Sequence, residues 1–361
     1  MMILGIESSC DETSASVVQE GRIVRSLVVA GQGEIHARYH GVVPEAASRA
    51  HVEQIAPVVR QALEEAGIDP SAPTAGGLGG VAATNRPGLS GSLAVGLSFA
   101  KSYAWAAGLP FVAVDHMAAH AYAAQLGTEV GASEAETAPP PDYPYIVILV
   151  SGGHTILAVS KDYDTLEVLG TTIDDACGEA YDKVSAFLGT GYPGGPVIDR
   201  LAARGDPRAC VLPRPRLNRN DNRYDFSYSG LKTAVVHQLD RFWTEGYPRT
   251  RENIAAAFQK AAIDMVMDRV RNAVDDTGIR RVAAGGGVAA NSSLRSRLRA
   301  LEGVIVHLPP PLLCVDNGAM VAGIGYRYLR EGRGSDWDTG VTARIESFRR
   351  RGRAHPRDTG A

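Results

Sequence analysis

Only four cysteines occur in the 361-residue chain, Cys10, Cys177, Cys210 and Cys314, and no two are spaced as a zinc or redox pair. They read as reduced thiols of a cytoplasmic protein. No run of about 18 apolar residues is present, so no membrane-spanning helix is expected. The first residues enter a strand directly, without a basic stretch followed by an apolar one, which argues against an export signal. Net charge is small as well: 37 Lys and Arg against 40 Asp and Glu leave −3, so bulk electrostatics do not mark a nucleic-acid binder. Also missing is the spaced three-glycine fingerprint that follows the first strand of a dinucleotide-binding fold, which weighs against a plain Rossmann protein.

What is present points elsewhere. Apolar residues make up 45% of the chain, enough for two packed cores at this length. One short pattern occurs twice. Met2–Val18 is an apolar strand, a polar turn through Glu7-Ser8-Ser9-Cys10-Asp11-Glu12, and a second apolar strand. Tyr145–Val159 repeats it around Val150-Ser151-Gly152-Gly153-His154. Such runs bounded by Ser, Gly and Asp read as buried strands joined by a tight turn. A turn through Gly and Ser offers backbone N–H groups to an anion. Strands alternating with helices follow each hairpin, so the expected fold is α/β with a largely parallel sheet in each half and a ligand cleft between the halves. The expected boundaries are an N-terminal subdomain over 1–126, a Gly-, Ala- and Pro-rich mobile linker over 127–144, and a C-terminal subdomain over 145–317. A last helix at about 318–330 should pack back on the first subdomain, and 335–361 should be a flexible basic tail.

Several constellations could carry chemistry. His116-Met117-Ala118-Ala119-His120 follows a strand ending at Asp115; positions four apart share a helix face, which is metal-ligand geometry, although a packing pair of histidines has the same spacing. Two ligands are too few, and Asp316, before Asn317-Gly318 and a helix, is the candidate third; its alternative role is to cap that helix. Two consecutive glycines, Gly152 and Gly153, suit close approach of a ligand to backbone, or simply a hairpin turn. Gly285-Gly286-Gly287 leads to Asn291 and suits a nucleoside packed on backbone, or a flexible turn. Asp182 and Lys183 lie on a helix before a Gly-Pro loop, where carboxylates can hold ribose hydroxyls or serve as ordinary surface charges. Arg200, Arg204, Arg208, Arg214, Arg216, Arg219 and Arg223, with Arg349, Arg350, Arg351 and Arg353 in the tail, form local basic stretches that could meet phosphates or be merely solvated.

Taken in order, these motifs closely resemble the tRNA threonylcarbamoyl-adenosine transferases of the bacterial TsaD type, historically labelled O-sialoglycoprotein endopeptidases. The resemblance runs colinearly over about residues 2 to 330 and includes Glu7–Thr13, His116–His120, Val150–His154, Gly178–Lys183, Tyr192–Gly195, Asp225–Thr233, Gly286–Asn291 and Cys314–Met320. It implies the twin-sheet fold of actin and sugar kinases, and transfer of a threonylcarbamoyl group from threonylcarbamoyl-AMP to the adenosine after the anticodon of tRNA. It implies metal ligands at His116, His120 and Asp316, holding iron or, as second choice, zinc. Substrate-binding positions carry over to Val150, Ser151, Gly152, Gly153, His154, Asp182, Gly195, Asp199 and Asn291. Asp11 and Glu12 match an acidic pair at the cleft, expected here to help proton transfer. The implied partners are tRNA, an inactive paralogue of the TsaB type and a small ATPase of the TsaE type.

Some positions depart from the family pattern. Arg86 replaces the first glycine of a Gly-Pro-Gly-Leu loop; if that site needs a positive φ, the loop must differ. Ala118 and Ala119 stand where many bacterial members have Glu and Gly. Competing readings are a metallopeptidase, which would want a glutamate beside His116, an ATPase or sugar kinase of the same fold, which would want Mg²⁺ and carboxylates, and a non-catalytic subunit.

Overall fold

The computed structural model describes residues 1–37, 39, 41–128, 139–213 and 223–344. Arg214, Arg216 and Arg219, the middle of the 127–144 linker, and the tail arginines from Arg349 to Arg353 lie outside the described residues.

The N-terminal half opens on a meander of β1 (Met2–Glu7), β2 (Glu12–Gln19) and β3 (Ile23–Gly31). It continues with α1 (Gly33–Ala37), α2 (Pro44–Glu65), β4 (Leu78–Arg86), α3 (Ser90–Ala106), β5 (Phe111–Asp115), α4 (His116–Tyr122) and the short β6 (Gly127–Thr128). The C-terminal half repeats the meander with β7 (Tyr145–Val150), β8 (Thr155–Ser160) and β9 (Leu166–Thr171). Then come α5 (Cys177–Phe187), α6 (Gly194–Ala202), α7 (Ser229–Phe242), α8 (Arg251–Thr277) and β10 (Arg281–Gly285). The chain closes with α9 (Ser292–Arg299), β11 (Ile305–His307), α10 (Pro311–Cys314) and α11 (Gly318–Arg330). Strand order is β5-β4-β1-β2-β3-β6 in one sheet and β11-β10-β7-β8-β9 in the other. Both sheets are mixed rather than largely parallel, because each meander contributes antiparallel pairs while the later strands join in parallel.

Side chains alternate between the two faces of each strand, and this sorts the core into layers. Leu4, Ile6, Val17, Val81 and Ala83 face α2 and α3, whereas Ile3, Val18, Ala82 and Val112 face α4 and α11. In the second sheet Ile146, Ile148, Leu157 and Val282 face the helices of the C-terminal half, while Tyr145, Val147, Leu149 and Ile156 face Met117 and Ala121 of α4. All seven residues of α4 are therefore buried, sandwiched between the two sheets, and the small Ala118 and Ala119 fit there. Helix α11 lies directly on the first sheet: a Cβ on Gly5 would come within 2.1 Å of the Gly318 carbonyl. At the far end of α11, the β8–β9 turn docks through Tyr328 donating to Asp164 (2.7 Å), an Arg333–Asp164 ion pair (2.9 Å) and Arg333 over the Tyr328 ring.

Three expectations change in detail. Residues 335–342 do not hang free. Phe111 O and the Ser335 hydroxyl complete the edge of β5, Trp337 stacks on Phe111, Lys101 donates to the Trp337 carbonyl, and Thr342 N–H donates to Asn85 O. This extended strap has no hydrophobic period, so the sequence does not announce it. The linker's described ends are also held, by β6 pairing with β3 and by Gln125 donating to Pro141 O. Arg86, finally, closes β4 without a positive φ and pairs with Asp115 at 3.4 Å.

Candidate metal centre and cleft

The centre is built from strand ends. Asp115 ends β5 and accepts from the N–H groups of Met117 and Ala118, which starts α4 at that point and sets His116 and His120 one turn apart on one face. Asp316 enters from the loop before α11. That helix is capped by Asn317, whose Oδ1 accepts from Ala319 and Met320 N–H and whose amide donates to the Leu313 and Val315 carbonyls. The capping role considered for Asp316 thus falls to its neighbour, and the Asp316 carboxylate is free to face the histidines.

His120 Nε2 lies 3.0 Å and His116 Nε2 3.6 Å from Asp316 Oδ1, and the ligand atoms of all three residues lie within 4.8 Å of one another. On the opposite side of its ring, His116 Nδ1 donates to Glu7 Oε2 at 3.0 Å, with Ser9 Oγ at 3.2 Å. Glu7 is fully buried at the end of β1 and also accepts from Thr84 Oγ1 and Ser9 N, each at 2.6 Å. These bonds hold one proton on Nδ1, so Nε2 is the nitrogen turned toward Asp316 and available to a metal that displaces any second proton. The electrostatics favour a cation. Burial pushes Glu7 up, but His116 prevails and holds it below the usual carboxylate range. Burial likewise pushes Asp316 up, and His116 and His120 pull it well down. Burial would lower His116, yet Glu7 and Asp316 leave it raised to about 9. Two ionised carboxylates, Glu7 buried and Asp316 partly so, beside two buried imidazoles make a place for positive charge, and two histidines with one carboxylate form the donor set of an open transition-metal site.

Other expected site residues surround this centre. His154 comes from the β7–β8 hairpin, where Ser151 N–H donates to His154 O at 2.8 Å and His154 N–H to Ser151 Oγ at 3.1 Å. Burial and the neighbouring His116 and His120 lower its imidazole to about 4, so it is neutral at physiological pH. Gly152 and Gly153 are exposed, with open space where a Cβ would stand. Glu12 is pushed well above the usual carboxylate range by burial and by the neighbouring Asp316 and Asp11. Asp182 accepts from Gly194 N–H at 2.7 Å, and burial raises its carboxyl to about 6, with Asp11 adding to the effect from the other half. The two halves therefore face each other through Asp11 and Glu12 on one side and Asp182 and Tyr192 on the other.

Asp199 and Asn291 form a separate group. Asp199 accepts from Ser292 N–H and Oγ and from Gln259 Nε2, while Asn291 caps α9 through Leu294 N–H and donates to Gln259 Oε1. Helix α9 begins at Ser292, directly after its cap Asn291. They tie α6, α8 and α9 together beside a cavity of about 530 Å³ lined by Gln259, Lys260, Ser292 and Arg297. Gly195, on α6, has open space at its Cβ position. The glycine triplet is explained by packing: a Cβ on Gly285 would press on His120 O (2.9 Å), and Gly286 has φ +84° and lies against Val150 O. Sequence reasoning missed Glu7 as a partner of the metal centre; its signal was an acidic residue at the end of an otherwise apolar strand.

Twin α/β sheets around a cleft with a two-histidine, one-carboxylate cluster at its floor define an actin- and sugar-kinase-like protein bearing a candidate metal centre. The profile of the TsaD family, tRNA N6-adenosine threonylcarbamoyltransferase, matches residues 23–323, and the chain belongs to that family. A tRNA N6-adenosine threonylcarbamoyltransferase of Treponema denticola is 49% identical over 353 residues, covering 98% of this chain and 100% of its own. One of Borrelia garinii subsp. bavariensis is 43% identical over 350 residues, covering 97% and 98%. Among solved structures, full-length HypF in its phosphate- and nucleotide-bound form superposes with a TM-score of 0.57 at 16% identity, over 92% of this chain and 56% of that one. Component A of the Acidaminococcus fermentans (R)-2-hydroxyglutaryl-CoA dehydratase gives 0.53 at 14%, over 91% and 99%. These two likenesses establish the fold.

Proposed function

We propose that the protein transfers the threonylcarbamoyl group of threonylcarbamoyl-AMP to the N6 amine of the adenosine 3′ of the anticodon, in tRNAs reading codons that start with A. The observation that carries this is the meeting of His116, His120 and Asp316 at the floor of the cleft, opposite the Ser151–His154 hairpin, in a chain of this family. Those three residues would hold one divalent ion, iron before zinc, which when bound supplies Lewis-acid polarisation of the donor. Glu7 orients His116 for that task. Backbone N–H groups of Gly152 and Gly153 cradle the phosphate, and neutral His154 adds a hydrogen bond there without a competing charge. Asp182, Gly195, Asp199 and Asn291 hold the nucleoside. The amine nitrogen attacks the carbamoyl carbon, the bond to the phosphate oxygen breaks, AMP leaves, and the Asp11–Glu12 pair takes the amine proton.

A metallopeptidase fits less well. Met117 stands beside His116, and Glu7 touches the ring nitrogen that points away from the metal ligands, so it cannot serve as that mechanism's base. The tRNA acceptor places the reaction in the cytoplasm, and a TsaB-type paralogue and a TsaE-type ATPase are its partners. Reconstitution with labelled threonylcarbamoyl-AMP, tRNA and those helpers, followed by nucleoside analysis, tests the reading. Label in the modified adenosine supports it; no label with the wild-type protein, metal loaded, overturns it.

A further inference from the structure

Asp11 ends the short loop between β1 and β2, and Glu12 opens β2. Burial first, and then the neighbouring Asp316, Asp11 and Glu7, disfavour the charged form of Glu12. Helix α2 braces the backbone on both sides of the pair. His51, fully buried on α2, spans the acidic pair: its Nε2 lies 3.0 Å from Cys10 O, just before Asp11, and its Nδ1 2.7 Å from Thr13 Oγ1, just after Glu12. Gln54, on the same face of α2, reaches Thr13 Oγ1 at 2.9 Å. Gln32 N–H donates to Asp11 O at 3.0 Å, and the Gln32 amide donates to Ala47 O of α2 at 3.3 Å.

We propose that His51 is the positioning residue of the acidic pair, holding the backbone on both sides of Asp11 and Glu12 so that their carboxyl groups stay in the cleft. The assignment of the pair to proton transfer rests on the transferase reading above; the positioning itself does not. A carbonyl only accepts, so Nε2 carries the ring proton and donates to Cys10 O. Nδ1 is then an acceptor, and the single Thr13 hydroxyl proton points to it. Gln54 Oε1 lies 2.9 Å from the same hydroxyl, and a half-turn of its amide would let Nε2 donate to Thr13 while the hydroxyl proton goes to His51. Burial lowers the His51 imidazole, in keeping with this neutral tautomer. The ring touches no reacting atom, so its effect is on rate through geometry.

The test compares His51→Ala, His51→Gln and Thr13→Val with wild type. Amide hydrogen exchange is read at residues 11–13 and Gln32, and kcat and KM for tRNA are read at saturating threonylcarbamoyl-AMP and metal. His51→Ala should speed exchange at those amides at least about tenfold while leaving exchange of β7 and β10 unchanged. It should lower kcat on the order of 10- to 100-fold, with KM for tRNA and metal content within about twofold. His51→Gln keeps a donor for Cys10 O and should recover most of the rate. Thr13→Val should lose less, and the double variant should lose no more than His51→Ala alone. Unchanged exchange at residues 11–13 overturns the proposal. So does a rate loss that follows metal content or overall unfolding, or no recovery with glutamine. A wild-type protein without transfer activity would count against the transferase reading alone, since the exchange result stands independently of it.

Discussion

Replacing Glu7 by glutamine keeps shape and volume and removes one oxygen acceptor, which makes it the sharpest probe of the metal centre. The carboxylate serves two sides: Oε1 accepts from Ser9 N–H at 2.6 Å, and Oε2 accepts from Thr84 at 2.6 Å and His116 Nδ1 at 3.0 Å. A glutamine has one oxygen for these two sides. With the oxygen toward Ser9, its NH₂ faces His116 Nδ1, which must then become the acceptor and move its proton to Nε2, the atom 3.6 Å from Asp316. A metal would have to displace that proton. With the oxygen toward His116, the NH₂ faces the Ser9 N–H, two donors in a buried site, at a cost of about 1–3 kcal/mol. The first arrangement weakens metal binding and the second weakens the fold. Loss of an oriented outer partner typically lowers metal affinity by about 10- to 100-fold, or about 1.4–2.7 kcal/mol. The measurement is competition for Fe²⁺ or Zn²⁺ against a chelator of known affinity, with thermal unfolding of the apo protein alongside. A Glu7→Gln protein that binds metal within about twofold of wild type and melts at the same temperature would refute the reasoning.

Asp316→Ala should reduce bound metal below stoichiometry under dialysis and abolish transfer, with metal analysis and nucleoside analysis as readouts; full metal content would remove Asp316 from the ligand set. Asp182 is protonated more readily in the fold, where burial raises it to about 6 from 3.8, so its stabilising share is complete below about pH 4 and is lost as pH rises through 6. Asp182→Asn should therefore gain stability relative to wild type across that window, by up to about 3 kcal/mol, as read by denaturant unfolding at several pH values; parallel curves would contradict the buried carboxyl. Gly178→Ala places a Cβ 2.7 Å from Ser151 O and 2.8 Å from the Gly152 backbone, so it should displace the hairpin, cost about 1–3 kcal/mol and weaken threonylcarbamoyl-AMP binding. Calorimetric titration of the adenylate checks this, and an unchanged affinity would show that the hairpin does not hold it.

The metal cluster was legible because its parts have local signatures: a four-residue histidine spacing, and an acid before a helix start. Asp316 remained ambiguous in the sequence because Asp and Asn both cap helices; only the backbone shows that Asn317 takes that role. Glu7 and His51 were hidden for another reason. Each acts on a residue remote in the chain, His116 lying 109 positions from Glu7 and Cys10 41 from His51, and no local period encodes such pairs. The twin meanders were readable from their apolar runs, whereas the mixed pairing of the sheets depends on which strands meet, and the strap over β5 has neither period nor breaker to mark it. Asp199 and Asn291 came separately from the family resemblance, and their shared tie through Gln259 of α8 could not be foreseen from spacing.

The ring-and-guanidinium seam between the β8–β9 turn and the end of α11 has a bearing on turnover. It ties the second sheet to the helix that lies on the first, at the end of α11 away from Asp316. His116 and His120 on α4 and Asp316 just before α11 all belong to elements that pack on the first sheet. Were an ion bound among them, it would keep all three protein ligands when a nucleotide held by the Ser151–His154 hairpin left, since that hairpin comes from the other sheet.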